Sequence, residues 1–309
     1  MRSKQAEWGV HVALMATMVI WGLNISAVKW LTPQTDIMLL ASLRMLCATL
    51  LLAAVVLLLR GLLPHWRGKM LAFALLSAAL MVYGNQTIFA AAMDGTTATN
   101  ASLILALNPL LGGVMEAIFF RKRMPMSFIV GALIALIGVA LVVLNRPGAK
   151  WTEPSLGDFL VLASMISFAL GVIMMQRLSR DASPLAVNAF LYLAGTAMLL
   201  SHTCVVVDAP VDKSLSLDWQ VWACIVFSGV GATGLGAVAW GHGVARLGMG
   251  RASVYMSWVP VLGVGFAALL LNEPLTLWHL LGVIAVLTGT AISSARWRQA
   301  QVTYATGRS

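Results

Sequence analysis

Aromatic side chains stand one helical turn from polar or aromatic partners in three segments of the chain. The three pairs are Trp21 with Asn24, Tyr83 with Gln86, and Tyr255 with Trp258. Residues three apart lie on one face of a helix. Aromatic faces beside carboxamides bind small organic molecules through apolar contact and hydrogen bonds, without making or breaking covalent bonds. These spacings predict a binding surface, to which Asn108 and Ser164 add further polar groups.

Residues for covalent or metal chemistry lack the arrangement that such chemistry needs. The chain has no HExxH sequence, no pair of aspartates within apolar runs, and no serine and histidine at matching depth. Its three cysteines, Cys47, Cys204 and Cys224, lack metal-ligand spacing and are expected to be buried free thiols. The sequence leaves open whether Cys204 and Cys224 pair. We therefore predict no catalytic residue, no metal and no cofactor.

Two ionisable side chains, Arg44 and Glu116, fall inside apolar runs. Each is expected either to extend toward the membrane surface or to bond backbone carbonyls. Their predicted depths differ, so the sequence leaves open whether they pair.

The composition indicates that membrane-spanning helices position these side chains. The 309 residues are 60% hydrophobic and 10% charged, with a mean hydropathy of +0.89, more apolar than a soluble domain can bury. A spanning helix needs about 20 mostly apolar residues. Ten such runs occur, at 10–30, 37–59, 70–92, 98–120, 126–144, 157–176, 185–206, 219–241, 251–271 and 277–295. We expect an all-α, multi-pass membrane protein whose first run is retained rather than cleaved.

Basic residues are distributed unevenly among the segments that join these runs. Of the 20 Lys and Arg residues, fifteen fall on the side of the amino terminus. Cytoplasmic loops are enriched in Lys and Arg, so both termini are predicted to be cytoplasmic in a cell inner (plasma) membrane. Since this topology accounts for the net charge of +9, no nucleic-acid partner is predicted. The expected surroundings are the lipid bilayer and a small-molecule substrate, and a monomer is compatible with the sequence.

The two halves of the chain repeat one pattern. Residues 101–140 match those 151 positions later at ten of forty positions without a gap. The matches include Pro109 with Pro260, Gly131 with Gly282, and Gly138 with Gly289. The glycines, seven residues apart in each half, are expected to form packing faces. We predict two five-helix repeats, 1–147 and 148–309, which are inverted because five is odd and which surround a central cavity.

Pro109 and Pro260 each interrupt an apolar run that should be helical. Proline has no backbone N–H and cannot donate to the carbonyl four residues earlier, so each run is predicted to bend or to expose a carbonyl. One such kink is ordinary in a membrane helix. Two kinks at matching positions favour a functional break.

Several short segments together carry a family resemblance. They are IWGLNISAVKWL at 20–31, ASLRML around Arg44, LALNPLLGG at 105–113, SWVPVLGV at 257–264, LNEPL at 271–275 and the paired late glycines. On these segments the chain resembles the drug/metabolite transporter superfamily, specifically its ten-helix EamA-type exporters. It differs where the family often has a glutamate after the fourth span, since Arg121 and Lys122 stand there, whereas Glu273 keeps the feature in the second half. The resemblance implies ten helices around a cavity and export of small metabolites.

We expect alternating-access export of a small, net-neutral metabolite. Amino acids are the first candidates, and Trp21, Tyr83, Tyr255 and Trp258 favour aromatic ones. A proton-coupled multidrug exporter is the near alternative. An intramembrane enzyme is the more remote one, because the chain lacks a catalytic arrangement.

Overall fold

The protein is all-helical over the residues that the computed structural model describes, which are 2–59, 63–120, 124–144, 155–180, 182–247 and 255–306. The α-helices are α1 (Arg2–Leu31), α2 (Ile37–Leu58), α3 (Gly68–Ala78), α4 (Asn85–Gly95), α5 (Ala98–Leu105), α6 (Asn108–Phe120), α7 (Met126–Leu144), α8 (Leu156–Leu178), α9 (Pro184–Val206), α10 (Pro210–Leu215), α11 (Trp219–Val226), α12 (Gly236–Leu247), α13 (Trp258–Leu271) and α14 (Leu277–Thr306). A short 3₁₀ turn at Thr32–Gln34 follows α1. Residues 145–154, around the predicted boundary between the repeats, and the basic pair Arg121 and Lys122 lie outside these ranges.

Seven helical segments of the described chain are long and apolar enough to cross a membrane. They are Trp8–Gln34, Ile37–Leu58, Gly68–Gly95, Ala98–Phe119, Leu156–Leu178, Pro184–Val206 and Trp219–Gly243. Three shorter apolar helices, Met126–Val142, Trp258–Leu271 and Leu277–Ser293, overlap the other three predicted runs. The protein is therefore a multi-pass membrane protein, in which the backbone satisfies its own hydrogen bonds inside the bilayer by forming helices.

Two of the spans contain π-helical turns, and the helical pattern is interrupted shortly before two prolines. A π-helical segment at Ala79–Gly84 joins α3 to α4, and another at Phe227–Leu235 joins α11 to α12. The helical pattern breaks at Ala106 and Leu107, between α5 and α6. It breaks again at Ser257, immediately before α13. In each case the interruption lies three residues or fewer before a proline.

The chain forms two compact units, and each takes segments from both halves of the sequence. The first unit contains Met1–Ser26, Thr96–Asp158 and Trp240–Ser309. The second contains Ala27–Gly95 and Phe159–Ala239. These units are defined by packing, whereas the boundary predicted at 147 and 148 concerns repetition of sequence and stays a prediction.

Glycine packing joins α7 to α14 in the first unit. A Cβ atom at Gly131 would overlap the carbonyl oxygen of Gly289, and one at Gly289 would overlap that of Gly131. Seven residues along, a Cβ at either Gly138 or Gly282 would lie 3.0 Å from the other glycine's carbonyl oxygen. The predicted glycine packing faces are confirmed, because only glycine permits this approach of two backbones.

Pairs of hydroxyl groups join α2 to α9 in the second unit. Between α2 and α9, the side-chain oxygens of Ser42 and Thr203 lie 2.6 Å apart, and those of Thr49 and Thr196 lie 2.8 Å apart. Such bonds link helices where no water is available. Met45, Leu52, Leu191 and Leu199 are buried in the same unit. The cysteines are free, but the expectation that they are buried is wrong: Cys47 and Cys224 are partly buried and Cys204 is exposed.

Candidate functional site

The first predicted aromatic residue, Trp21, has a tryptophan partner within the first unit. Its ring lies 5.8 Å from that of Trp240 in α12, between centroids, with the planes tilted by 47°. Trp240 also packs on a buried cluster formed by Val10 and Leu14 of α1. The tilted arrangement is favourable for aromatic rings, and Trp21 is half-buried. The pair therefore presents a partly accessible aromatic surface inside a span.

Tyr255 forms a hydrogen-bonded pair with a histidine in the first unit. His11 Nδ1 lies 2.6 Å from the Tyr255 hydroxyl, and the two ring centroids lie 6.0 Å apart. Tyr255 and Trp258 lie on either side of the break at Ser257, and the Tyr255 phenol bonds to α1. Their shared role in substrate binding stays a prediction.

The other predicted residues of the first unit differ in how far they are buried. Asn24 and Asn108 are half-buried, and Trp258 is 48% exposed although it lies in an apolar helix. Among the residues that the structure describes, no hydrogen bond or ring contact reaches Asn108 or Trp258. Pro260 is buried. The side chains of Pro109 and Glu116 lie outside the described part of the chain.

Tyr83 forms a second tyrosine–histidine pair, in the second unit. Its hydroxyl lies 2.8 Å from His202 Nδ1, with ring centroids 5.7 Å apart. Tyr83 belongs to the π-helical segment Ala79–Gly84. Gly171 and Gly195 allow α8 and α9 to approach this segment, since a Cβ at either would overlap Met81 or Val82. The wide π turn and its two glycine neighbours fix where the phenol points.

A chain of polar side chains crosses the second unit from α2 to α8. Arg44 Nε donates to the Ser228 hydroxyl at 2.6 Å, and Arg44 Nη1 donates to Gln86 Oε1 at 3.3 Å. Gln86 Nε2 donates to Asn85 Oδ1 at 3.0 Å, and Asn85 Nδ2 donates to the Ser164 carbonyl at 3.0 Å. Arg44 was expected to reach the membrane surface or backbone carbonyls, and this is wrong, because side-chain acceptors meet it first. We call these residues the Arg44 chain.

Ser164 occupies a different environment from the other candidates. It is fully buried, and its hydroxyl donates to the Val161 carbonyl of its own helix at 2.7 Å. In this conformation its backbone, rather than its hydroxyl, takes part in the Arg44 chain. Its assignment to substrate stays a prediction.

Two carboxylates hold the start of α5 in the first unit. Glu273 accepts hydrogen bonds from the backbone N–H groups of Ala98 at 2.8 Å and Thr99 at 2.9 Å, and from the Thr99 hydroxyl at 2.6 Å. The buried Asp158 accepts a hydrogen bond from Thr96. The first N–H groups of a helix have no partner inside it, so a carboxylate there is stabilising.

The residues on either side of Glu273, Asn272 and Pro274, explain how its carboxylate reaches α5. Asn272 ends α13 in a left-handed conformation, with φ of 53°, which is a common way to end a helix. Pro274 then prevents the helix from continuing. The chain turns, and the Glu273 carboxylate caps the neighbouring helix.

These groups suit reversible, non-covalent binding. They offer aromatic faces, carboxamides, phenols and imidazoles, together with one guanidinium. In the described ranges, no group of three or more His, Cys, Asp or Glu residues could hold a metal ion. The arrangement can bind a small organic molecule by stacking and hydrogen bonding.

The sequence indicated the candidate residues but not the residues on other helices that contact them. Trp240, His11, His202 and Ser228 complete the contacts described above, and each lies far along the chain from its partner. Their one shared signal was a polar or aromatic side chain inside or at the end of an apolar run. That signal does not say which helix lies opposite.

Comparison with known proteins places this geometry in context. The model of the EamA-like transporter family matches residues 8–144 and again 155–295. The Escherichia coli (strain K12) protein named "Probable amino-acid metabolite efflux pump" is 25% identical over 297 residues, which cover 94% of this chain and 96% of that protein. "Uncharacterized transporter YetK" of Bacillus subtilis (strain 168) is 24% identical over 300 residues, covering 95% and 89%. A crystal structure of another protein, 16% identical, shares the fold with a TM-score of 0.65 over 94% of this chain and 98% of that one.

Proposed function

Because the chain belongs to the EamA-like transporter family and is a membrane transporter, we propose that it exports small, net-neutral metabolites, with amino acids as its first substrates. The E. coli relative's name supports this class of substrate. The proposed mechanism is alternating access, in a plasma membrane, with both termini cytoplasmic. The proposed preference is for aromatic amino acids.

The proposal includes ten spans arranged as two inverted repeats. Helices α7 and α14 occupy equivalent places in the two halves, and they pack in opposite directions, since Gly131 meets Gly289 while Gly138 meets Gly282. Helices α2 and α9 are also equivalent, and their hydroxyl pairs run in opposite directions as well. A two-fold axis along the helices would make equivalent helices parallel. Antiparallel packing of equivalent helices fits an axis perpendicular to them and so supports an inverted repeat.

The irregular segments support the same repeat. The break at Ala106 and the break at Ser257 are separated by 151 residues, the offset that aligns Pro109 with Pro260. The same offset carries the π-helical segment Ala79–Gly84 onto positions 230–235, inside the second one. Irregular turns inside spans are typical of transporter binding regions.

The observation that carries the substrate proposal is the chemical character of the candidate residues. Trp21, Tyr83, Tyr255 and Trp258 are all at least partly accessible, although they lie within apolar segments. Asn24, Gln86 and Asn108 add carboxamides that are also half-buried. An aromatic amino acid offers a flat apolar ring and groups that form hydrogen bonds, which such a surface complements.

Counterflow into proteoliposomes tests the proposal. Vesicles preloaded with one unlabelled amino acid should take up labelled amino acid without a pH gradient. Trp21→Ala and Trp258→Ala should each weaken the binding of aromatic amino acids more than that of small aliphatic ones, because each removes a large contact surface. Trp219→Ala is the matched control, since that residue is 76% exposed at the start of a span, and it should leave selectivity unchanged.

Three results would contradict this reading. Failure of every amino acid to exchange in folded wild type would overturn the substrate class. Uptake of cationic dyes that requires a pH gradient, and that Glu116→Gln abolishes, would instead support the proton-coupled multidrug alternative. A purified protein that chemically converts its substrate would support an enzyme.

A further inference from the structure

Arg44 is a buried cation with neutral partners. The residue is 2% exposed and lies seven positions inside α2, about 10 Å along the helix at 1.5 Å per residue. Its hydrogen-bond acceptors are a hydroxyl and a carboxamide, and no described carboxylate lies within ion-pair distance of it. A charge removed from water is strongly unfavourable unless an opposite charge approaches it. Ionisable residues inside spans are therefore functional candidates.

The helix contact at Arg44 does not itself require an arginine. In the proposed repeat, Arg44 corresponds to Gly195 in α9, and Gly229 corresponds to Ala78. A Cβ at Gly229 would overlap the Arg44 carbonyl oxygen, and a Cβ at Gly195 would lie 3.1 Å from the Ala78 carbonyl oxygen. The same backbone approach thus occurs at both places. In the second contact a glycine, Gly195, takes the place that Arg44 has in the first. The packing therefore does not need the arginine side chain.

We infer that Arg44 recognises the carboxylate of the transported molecule, an assignment that rests on the proposed function and deepens it. The guanidinium presents donors in a planar fork that matches a carboxylate. A bound amino acid would supply the negative charge that the surrounding helices do not.

The Arg44 chain offers a place where a substrate carboxylate can reach the guanidinium. Its Gln86 and Asn85 members are half-buried, so the partly accessible part of the Arg44 chain lies directly beside the buried guanidinium. The bond from Arg44 to Gln86 is 3.3 Å long, whereas the one to Ser228 is 2.6 Å. The longer bond is outside the usual range for N–H to O and is the weaker of the two. A carboxylate can replace the Gln86 oxygen there, while Ser228 continues to orient the guanidinium.

Inhibition of counterflow by phenylalanine and by phenylalaninamide tests the inference. The two compounds share the ring and the amino group and differ in the carboxylate. Wild type should need roughly 10- to 100-fold less phenylalanine than amide for half-inhibition, the range expected of a charge-assisted hydrogen bond. Arg44→Gln should bring the two concentrations to about the same value, because it removes the charge that distinguishes them.

Two further variants separate recognition from structure. Ser228→Ala removes the hydroxyl that orients Arg44 but not its charge, so the preference for phenylalanine should be reduced without being abolished, in contrast to Arg44→Gln. Arg44→Lys keeps the charge without the fork, and the preference should persist with weaker affinity for phenylalanine. Each purified variant is first checked for a single symmetrical peak in size-exclusion chromatography. If Arg44→Gln fails this check, Arg44→Lys decides: unchanged affinity for phenylalanine overturns the inference.

The remaining outcomes are also decisive. An Arg44→Gln variant that loses activity toward both compounds in equal proportion, or that keeps the wild-type preference, overturns the inference and makes Arg44 a packing residue. If folded wild type exchanges no amino acid, the proposed function fails on its own. The inference is then decided by thermal shift in detergent with benzoate and benzamide. Stabilisation of wild type by benzoate alone, lost in Arg44→Gln, supports it, and equal effects of both compounds overturn it.

Discussion

Removal of the Glu273 carboxylate should measurably destabilise the protein. Its two oxygens accept hydrogen bonds from the backbone of Ala98 and Thr99 and from the Thr99 hydroxyl, at 2.6 to 2.9 Å. Loss of a helix cap costs about 1 kcal/mol, and loss of a negative charge at a helix start costs about 0.3–1 kcal/mol more. For Glu273→Ala we therefore expect a loss of about 1.3–2 kcal/mol, or a fall in Tm of about 3–8 °C for a large chain.

Thermal unfolding of the detergent-purified protein, followed by tryptophan fluorescence, measures this effect. Glu273→Gln keeps one acceptor oxygen, so its Tm should lie between those of wild type and Glu273→Ala. Asp94→Asn is the control, because Asp94 is an exposed carboxylate only a few residues before α5 and makes no described hydrogen bond; its Tm should stay within the scatter of wild type. Equal Tm values for Glu273→Ala and Asp94→Asn would refute the assignment of Glu273 as the cap of α5.

Three further predictions concern the repeat and the breaks. In a cysteine-free background, Met124→Cys and Leu275→Cys, at equivalent and exposed positions, should react with impermeant thiol reagents from opposite sides of the membrane; labelling of both from one side contradicts inversion. Pro109→Ala and Pro260→Ala should insert normally but slow counterflow, because a restored donor straightens a helix that bends; unchanged rates in the double variant make the prolines incidental. Gly289→Val should lower Tm or prevent folding, since even a Cβ overlaps α7, and a wild-type Tm would disprove that contact.

The helices could be predicted from the sequence because the bilayer imposes one requirement on every span. Apolar runs such as 70–92 and 185–206 coincide with the helices Gly68–Gly95 and Pro184–Val206 to within a few residues. The glycine faces were also readable, since glycines seven apart lie on one stripe of a helix. In both cases the property is local to one segment.

The contacts of the candidate site could not be predicted in the same way. Helical spacing groups residues of one helix, so it joined Tyr83 to Gln86 and Tyr255 to Trp258. The hydrogen bonds instead join Tyr83 to His202 and Tyr255 to His11 across helices. The π-helical turns were not predicted either, because their mostly apolar residues suit an α-helix equally well. Partner choice between spans depends on three-dimensional packing rather than on periodicity.

The interleaved composition of the two compact units has a consequence for synthesis on the ribosome. The second unit ends at Ala239, whereas the first requires α14, near the carboxyl end of the chain. Domains generally fold as they emerge, at about 5–20 residues per second. The second unit has all its helices before α14 of the first unit is made, and translation from Ala239 to Thr306 takes about 3–13 seconds at that rate. During this interval α1 waits in the membrane without its partners Trp240 and Tyr255, so truncation late in the gene leaves the amino-terminal helix, rather than the nearest one, without the packing of its finished unit.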